Sequence, residues 1–235
     1  MAAVPGQVNL IWVISHPDLV SADELAGYDQ VFAAGRRWAQ DVTDRWGVPV
    51  EPLLQCTDTS LFAPTAAEHD TGHAVLFVGN SRNVYRPAVE AAVKAGVDLA
   101  VYGGMWETYI DPRLVLAQSV PNDRLPAMYR AAGVVLNDHW DDMRREGFWS
   151  NRLFDVAAAG GRVLSDHIDG TAEIFGPSVR TWRSAEHLTE LLGQPLGELF
   201  PDDATLVENA LRIGREHSFD ARARRLVEVA VQQLT

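Results

Sequence analysis

The sequence predicts an α/β protein built on Rossmann-like parallel sheets flanked by helices. Three observations carry this expectation. Short apolar runs alternate with longer amphipathic ones along nearly the whole chain. The short runs are continuously apolar instead of alternating, as in strands covered by helices on both faces. Of the 235 residues, 47% are hydrophobic, which is enough for substantial cores.

Taken in order, "NLIWVISHP" reads as a buried strand ending near His16. A short helix follows at "SADELAGY", with Ser21 as N-cap and Glu24 three residues on. "QVFAAG" is the second strand, "RRWAQDVTDRWG" a helix stopped by Gly47, and "VEPLLQC" the third strand. The polar stretch "TDTSLFAPTAAEHDTGH" reads as a linker. A second series begins at "VLFVGN". The helix "RPAVEAAVKAG" has Pro87 in its first turn and Gly96 after its end. Strands follow at "DLAVYGG", "VLAQSV", "GVVLND", "GRVLSDH" and "SVRTWR", with helices at "NDRLPAMYRAAG" and "SNRLFDVAAAG". Three helical stretches close the chain. Within the last, the "RARR" run reads as a solvated helix face. The expected organisation is a partial first domain with its linker over residues 1–64 and a more complete second domain over 65–235.

The net charge is −12, from 32 acidic and 20 basic residues. That lacks the basic footprint of a nucleic-acid binder. A single cysteine, Cys56, allows no intrachain disulfide. No apolar run approaches the roughly 20 residues that span a bilayer. "MAAVPGQVNL" has neither the charged start nor the long apolar stretch of a signal peptide, so the cytoplasm is the expected compartment.

In open parallel sheets, ligands bind beyond the C-terminal strand ends. The residues at those ends are His16; Asn80, Ser81, Arg82 and Arg86; Gly103, Gly104 and Trp106; Asn137, Asp138 and His139; and Asp166, His167, Asp169, Gly170 and Thr171. Ser150 or Asn151 can cap the helix "RLFDVAAA", whose free N–H groups suit a phosphate. Arg152 can add a charge-assisted bond. Asp155, four residues after Asn151, lies on the same face, where a carboxylate can accept from ribose hydroxyls. The plainer reading is an ordinary capped helix with Asp155 solvated. The acidic run Asp138, His139, Asp141, Asp142 reads either as a hard-metal site or as an acidic helix start. No nucleotide-binding Walker loop and no Gly-x-Gly-x-x-Gly fingerprint is present.

The span from "VLFVGN" to "TAEIFG", with the C-terminal "HSFDARARRLVEVAV", resembles the donor-binding half of GT-B glycosyltransferases. It is most similar to the family-four, group 1 type and to its spore-maturation-like relatives. The resemblance implies sugar transfer from a nucleotide-diphosphate donor, with no cofactor and no metal required. Glu146-Gly147-Phe148 stands for the family's Glu-Gly-Phe segment, which makes Glu146 the contact to the donor sugar. Asp155, five residues before Gly160, stands for the ribose-binding carboxylate. Glu146 and Asp155 lie one residue further apart than the family's usual pair. Arg82, Arg86 and Arg152 are the matching cations for the diphosphate. Gly103 and Trp106 match the loop near the base. Gly170, Thr171 and Glu173 match the loop near the sugar and phosphates. His16 is either an acceptor-side base or sugar contact, or a capping or packing histidine. The first 64 residues resemble the end of the acceptor-side domain, so a homodimer or a partner chain completing the cleft is a further expectation. Two other readings stay open: a nucleotide-sugar 2-epimerase, and a nucleotide-sugar-binding module without turnover.

Overall fold

The computed structural model describes residues 6–64 and 72–234. Its elements are β1 (Leu10–Val13), α1 (Ala22–Leu25), β2 (Gln30–Ala33), α2 (Arg36–Trp46), β3 (Val50–Pro52), β4 (Val75–Val78), α3 (Pro87–Ala95), β5 (Leu99–Tyr102), β6 (Val115–Ala117) and α4 (Leu125–Ala131). They continue with β7 (Val134–Asn137), α5 (Asp141–Glu146), α6 (Asn151–Ala158), β8 (Val163–Asp166), α7 (Thr171–Phe175), β9 (Val179–Trp182), α8 (Ala185–Leu192), α9 (Leu196–Leu199), α10 (Asp203–Glu216) and α11 (Phe219–Gln233). Four helices therefore follow the last strand where three were expected. The segment read as a loop at "DGTAEIFG" holds the short α7. Residues 65–71 of the expected linker and the first five residues of the chain lie outside the described residues.

Every strand pair is parallel. The chain forms two compact units that interleave in sequence. The first comprises residues up to Thr57, His139–Asn151, and the chain from Arg215 onward; the second comprises Asp58–Asp138 and Arg152–Gly214. This differs from the expected single break at 64/65. The reason lies in what each face of the first sheet needs.

That sheet has the order β1-β2-β3. Side chains alternate along β2, so Val31 and Ala33 join one core and Phe32 joins another. On the Val31 side, α2 contributes Trp38 and Val42, and the 139–151 segment contributes Met143 and Phe148. Gly147, at φ 77°, ends α5 and turns Phe148 into this core, where Phe148 bridges Gly35 and meets Trp38 edge-on at 5.9 Å. On the Phe32 side, Leu53 packs with Val229 and Leu226 of α11. Arg222 anchors that helix by donating to the backbone oxygens of Leu54 (2.6 Å), Gln55 (3.1 Å) and Glu216 (3.1 Å) and to His217 Nδ1 (2.8 Å). Arg225 adds a two-pronged bond to Glu51, 2.7 Å on each branch. The "RARR" run is therefore not a solvated face as expected: two of its arginines are docked on β3 and the residues after it.

The second unit holds a six-stranded sheet in the order β6-β5-β4-β7-β8-β9. Counted within the unit, this is the 3-2-1-4-5-6 order of doubly wound nucleotide-binding sheets. One face packs Phe77, Val101 and Leu136 against Ala88, Val89 and Ala92 of α3 and Leu188 of α8. The strand order reverses at β4 and β7, and a crevice opens beyond their C-terminal ends at such a reversal.

Candidate functional site

Glycine shapes the end of β4. Gly79 has φ 155°, and its N–H bonds the oxygen of Tyr102 at 2.7 Å. Gly103, at φ 146°, lies so close that a Cβ there would sit 2.2 Å from the oxygen of Gly79. The two loops are then laced together. Gly104 N–H donates to Asn80 Oδ1 at 2.7 Å, Ser81 N–H to the oxygen of Gly104 at 3.1 Å, and Ser81 Oγ to the oxygen of Met105. Arg82, Asn83 and Met105 adopt positive φ without being glycine. Such backbone clusters where surrounding structure holds it in place.

Two arginines converge on this corner. The guanidinium carbon of Arg86 lies 4.7 Å from the Phe77 ring centre and that of Arg152 lies 5.4 Å from it. A Cβ on Gly79 would sit 2.9 Å from Arg152 Nη2 and 3.4 Å from Arg86 Nη1. The glycine is what gives both cations room. Arg86 is buried, at 2% exposure. It donates to the carboxylate of Asp138, to the oxygen of Asp138 at 2.9 Å and to that of Asn80 at 3.2 Å. Among the described residues its Nε has no partner. Burial pushes its pKa down to about 10; Asp138 opposes this, while Arg152 and Arg82 push the same way. Arg86, Arg152 and Arg82 thus act on one another electrostatically at this corner, with Asp138 as the counter-charge.

Arg152 sits in the first turn of α6 and donates to Asn137 Oδ1 at 3.0 Å. Asn137 donates to Ser165 Oγ at 2.9 Å, and Ser165 Oγ to Asp166 Oδ1 at 3.2 Å. The chain of bonds runs across the ends of β7 and β8, with Asn137, Ser165 and Asp166 all buried. Burial raises the Tyr129 hydroxyl pKa; Arg152, which bonds it, lowers it and Asp155 raises it. Arg152, Asp155 and Tyr129 are thus neighbours along the inner side of α6.

Of the residues expected at the site, Arg82, Arg86, Gly103, Arg152 and Asp155 belong to this unit, and the three arginines interact. Asp155 is buried, so the solvated reading of that residue fails. Trp106 is not an exposed base neighbour. Its ring is 1% exposed, meets Phe77 edge-on, and donates its indole N–H to the oxygen of Gly79 at 2.9 Å. It is a core residue that fixes the β4 loop. Gly170 is exposed with φ 86° and precedes α7; Glu173 is exposed on that helix. Thr171 is buried and donates its hydroxyl to the oxygen of Ile168 at 2.6 Å, so it braces the loop. The amide of Ser150 donates to His139 Nε2 at 3.0 Å and is therefore already engaged, which corrects its expected role as a phosphate donor. Asn151 is exposed at the start of α6.

Glu146 and His16 lie in the first unit. Arg145 Nε donates to Glu146 Oε1 at 2.9 Å. His16, at φ 48°, places Nδ1 3.5 Å from Asp142 Oδ2 and its ring 5.6 Å from that of Trp140. Among the described residues no three His, Cys, Asp or Glu side chains are grouped to hold a metal. Nor is any described helix long and apolar enough to cross a membrane. The sequence reading passed over Phe77, Gly79 and Ser165. Their signal was position alone, at or just past the end of an apolar run.

Residues 82–228 match the model of a family described as glycosyl transferase-like. The chain belongs to that glycosyl transferase-like family. No curated protein matches it by sequence. Among solved structures it is similar to sucrose-phosphate synthase from Thermosynechococcus elongatus, at 17% identity and TM-score 0.63, over 94% of this chain and 64% of that one. It is similar to the UDP-forming α,α-trehalose-phosphate synthase from Burkholderia vietnamiensis, at 11% identity and TM-score 0.66, over 97% and 67%. A third is Anabaena HepE, solved with UDP, at 12% identity and TM-score 0.67, over 95% and 72%. At these identities the likeness is one of fold, and the fold is of the GT-B type with Rossmann-like sheets. The chain spans 64% of the length of the sucrose-phosphate synthase structure.

Proposed function

We propose that the second unit binds a nucleotide-diphosphate sugar at the β4–β7 crevice and that the chain transfers the sugar to an acceptor, in the manner of group 1, spore-maturation-like glycosyltransferases. The observation that carries this is the convergence of Arg86 and Arg152 over Phe77 at Gly79. Departure of the sugar leaves charge on the diphosphate, and fixed cations that need no rearrangement are the efficient way to stabilise it. In this reading the arginines take the charge without a metal. Asp155, on the same helix as Arg152, accepts from the ribose. In the first unit, His16 beside Asp142 is the group suited to accept a proton from an acceptor hydroxyl. Family membership and the UDP carried by HepE support a nucleotide-sugar donor.

Calorimetry with UDP, GDP, ADP and TDP tests the reading. One nucleoside diphosphate binds the wild type. Arg152→Ala weakens it by roughly 10- to 100-fold, the loss of one charge-assisted contact, and Asp155→Ala weakens it too. A folded chain that binds none of the four overturns the donor assignment.

A further inference from the structure

The first unit carries a second concave site that the donor reading does not use. Trp38, Asp41, Val42, Arg45 and Trp46 fall at i, i+3, i+4, i+7 and i+8 of α2, so they share one face. The start of that face is core: Trp38 and Val42 are buried. Further along, the face turns polar and lines a cavity of about 210 Å³. The opposite wall is Pro17, Asp18 and Val20 from the turn after β1, with Glu146 from the end of α5. Arg145 ties this wall together, donating to Asp18 at 2.6 Å and to Glu146 at 2.9 Å.

Two features of the α2 wall have no structural account. Asp41 and Arg45 stand at i, i+4, the spacing at which such residues pair on a helix. Yet neither makes a hydrogen bond or ion pair among the described residues, and both line the cavity. Asp41 is half-buried all the same. Trp46 is 37% exposed and sits edge-to-face with Trp38, ring centres 6.3 Å apart. Its outer surface is an apolar platform beside open polar groups.

We propose that this groove binds a single neutral sugar ring. The carboxylates of Asp18, Asp41 and Glu146 oppose an anion, and the unpaired guanidinium of Arg45 opposes a cation. A neutral polyol satisfies both: its hydroxyls donate to Asp41 and accept from Arg45. The C–H face of a pyranose covers the indole of Trp46, the combination of apolar body and few polar contacts usual in small-molecule sites. The cavity has the size of one ring. Nothing in the assignment requires the donor site of the second unit.

The test is saturation-transfer NMR with the methyl α-pyranosides of glucose, galactose and mannose, alongside glucosamine and glucose 6-phosphate as charged probes. At least one neutral glycoside receives saturation at its ring protons and quenches indole emission. Trp46→Ala abolishes both signals, and Asp41→Asn weakens binding at least threefold. Asp41 has no partner among the described residues, so its variant keeps the result independent of the packing of Trp46 on Trp38. Far-UV circular dichroism confirms folding, and UDP titration on the same samples reports the donor site separately. Silence from all three neutral glycosides overturns the assignment, as does a signal that survives both substitutions or a preference for either charged probe.

Discussion

Arg86 and Asp138, 52 positions apart, are joined side chain to side chain and side chain to backbone in the buried crevice between β4 and β7. The second Asp138 oxygen accepts from Ala88 N–H at 3.3 Å, in the first turn of α3. One carboxylate therefore sets the position of the Arg86 cation and of the helix that carries it. Removing one partner of a buried pair leaves the other uncompensated, at a cost of about 3–5 kcal/mol. Asp138→Ala is expected to lose that much in urea denaturation. The double variant Arg86→Met/Asp138→Leu recovers most of the stability and binds no nucleotide. If the double variant is as unstable as the single one, the carboxylate matters through α3 alone.

Gly79 and Gly103 separate stability from binding. A Cβ on Gly103 runs into the backbone of Gly79 and Asn80, which cannot move aside. Overpacking together with a strained φ costs roughly 2–5 kcal/mol, so Gly103→Ala lowers the urea midpoint markedly. A Cβ on Gly79 meets the flexible ends of Arg152 and Arg86 instead. Gly79 shares the strained φ but not the backbone clash, so Gly79→Ala loses less stability than Gly103→Ala and weakens nucleoside diphosphate binding about tenfold, or 1.4 kcal/mol. Equal losses of stability in the two variants contradict this division.

Much of the crevice was legible because it needs only strand ends. Continuous apolar runs fixed the strands of the second sheet, and whatever followed each run had to lie on the rim. Arg82, Arg86, Gly103, Asn137 and Asp138 were all found in that way. Direction was not legible. Trp106 reads as a rim aromatic, but the left-handed turn at Met105 aims it into the core. Glu146-Gly147-Phe148 reads as a donor-sugar motif, whereas Phe148 anchors the segment to the first unit through Trp38. Contacts across long sequence separations leave no local trace. Arg222 sits in a run of charge that looks solvated, and its acceptors Leu54 and Gln55 lie 168 and 167 positions away.

Acid sensitivity has a local source at the start of α10. Asp202 Oδ1 accepts from Thr205 N–H at 2.9 Å, an N-terminal cap. That backbone bond, with the Thr205 hydroxyl, holds the carboxyl below its ordinary 3.8. A folded pKa below the unfolded one gives stability that is present above pH 3.8 and lost as pH falls through the depressed value. Asp202→Ala should therefore melt a few degrees below wild type at pH 7, with the gap narrowing toward pH 2. A gap that stays constant with pH assigns the loss to helix geometry instead of to charge.

Arg222 ties α11 to the residues that follow β3. The residue is 8% exposed, and its guanidinium serves three backbone oxygens and His217 Nδ1. The same stretch is stitched by Thr57 N–H to the oxygen of His217 at 2.9 Å and Phe219 N–H to the oxygen of Thr57 at 3.0 Å. Burial lowers the pKa of Arg222 from its ordinary value, so the fold tolerates a desolvated cation for the sake of those acceptors. Arg222→Met leaves the carbonyls of Leu54 and Gln55 without their donor and is expected to cost about 2–4 kcal/mol. Arg222→Lys does not rescue it, because a single ammonium cannot reproduce the planar fork that reaches both oxygens. Urea denaturation of the three proteins decides the point. A lysine variant as stable as wild type would show that charge at this position suffices and that the fork geometry does not matter.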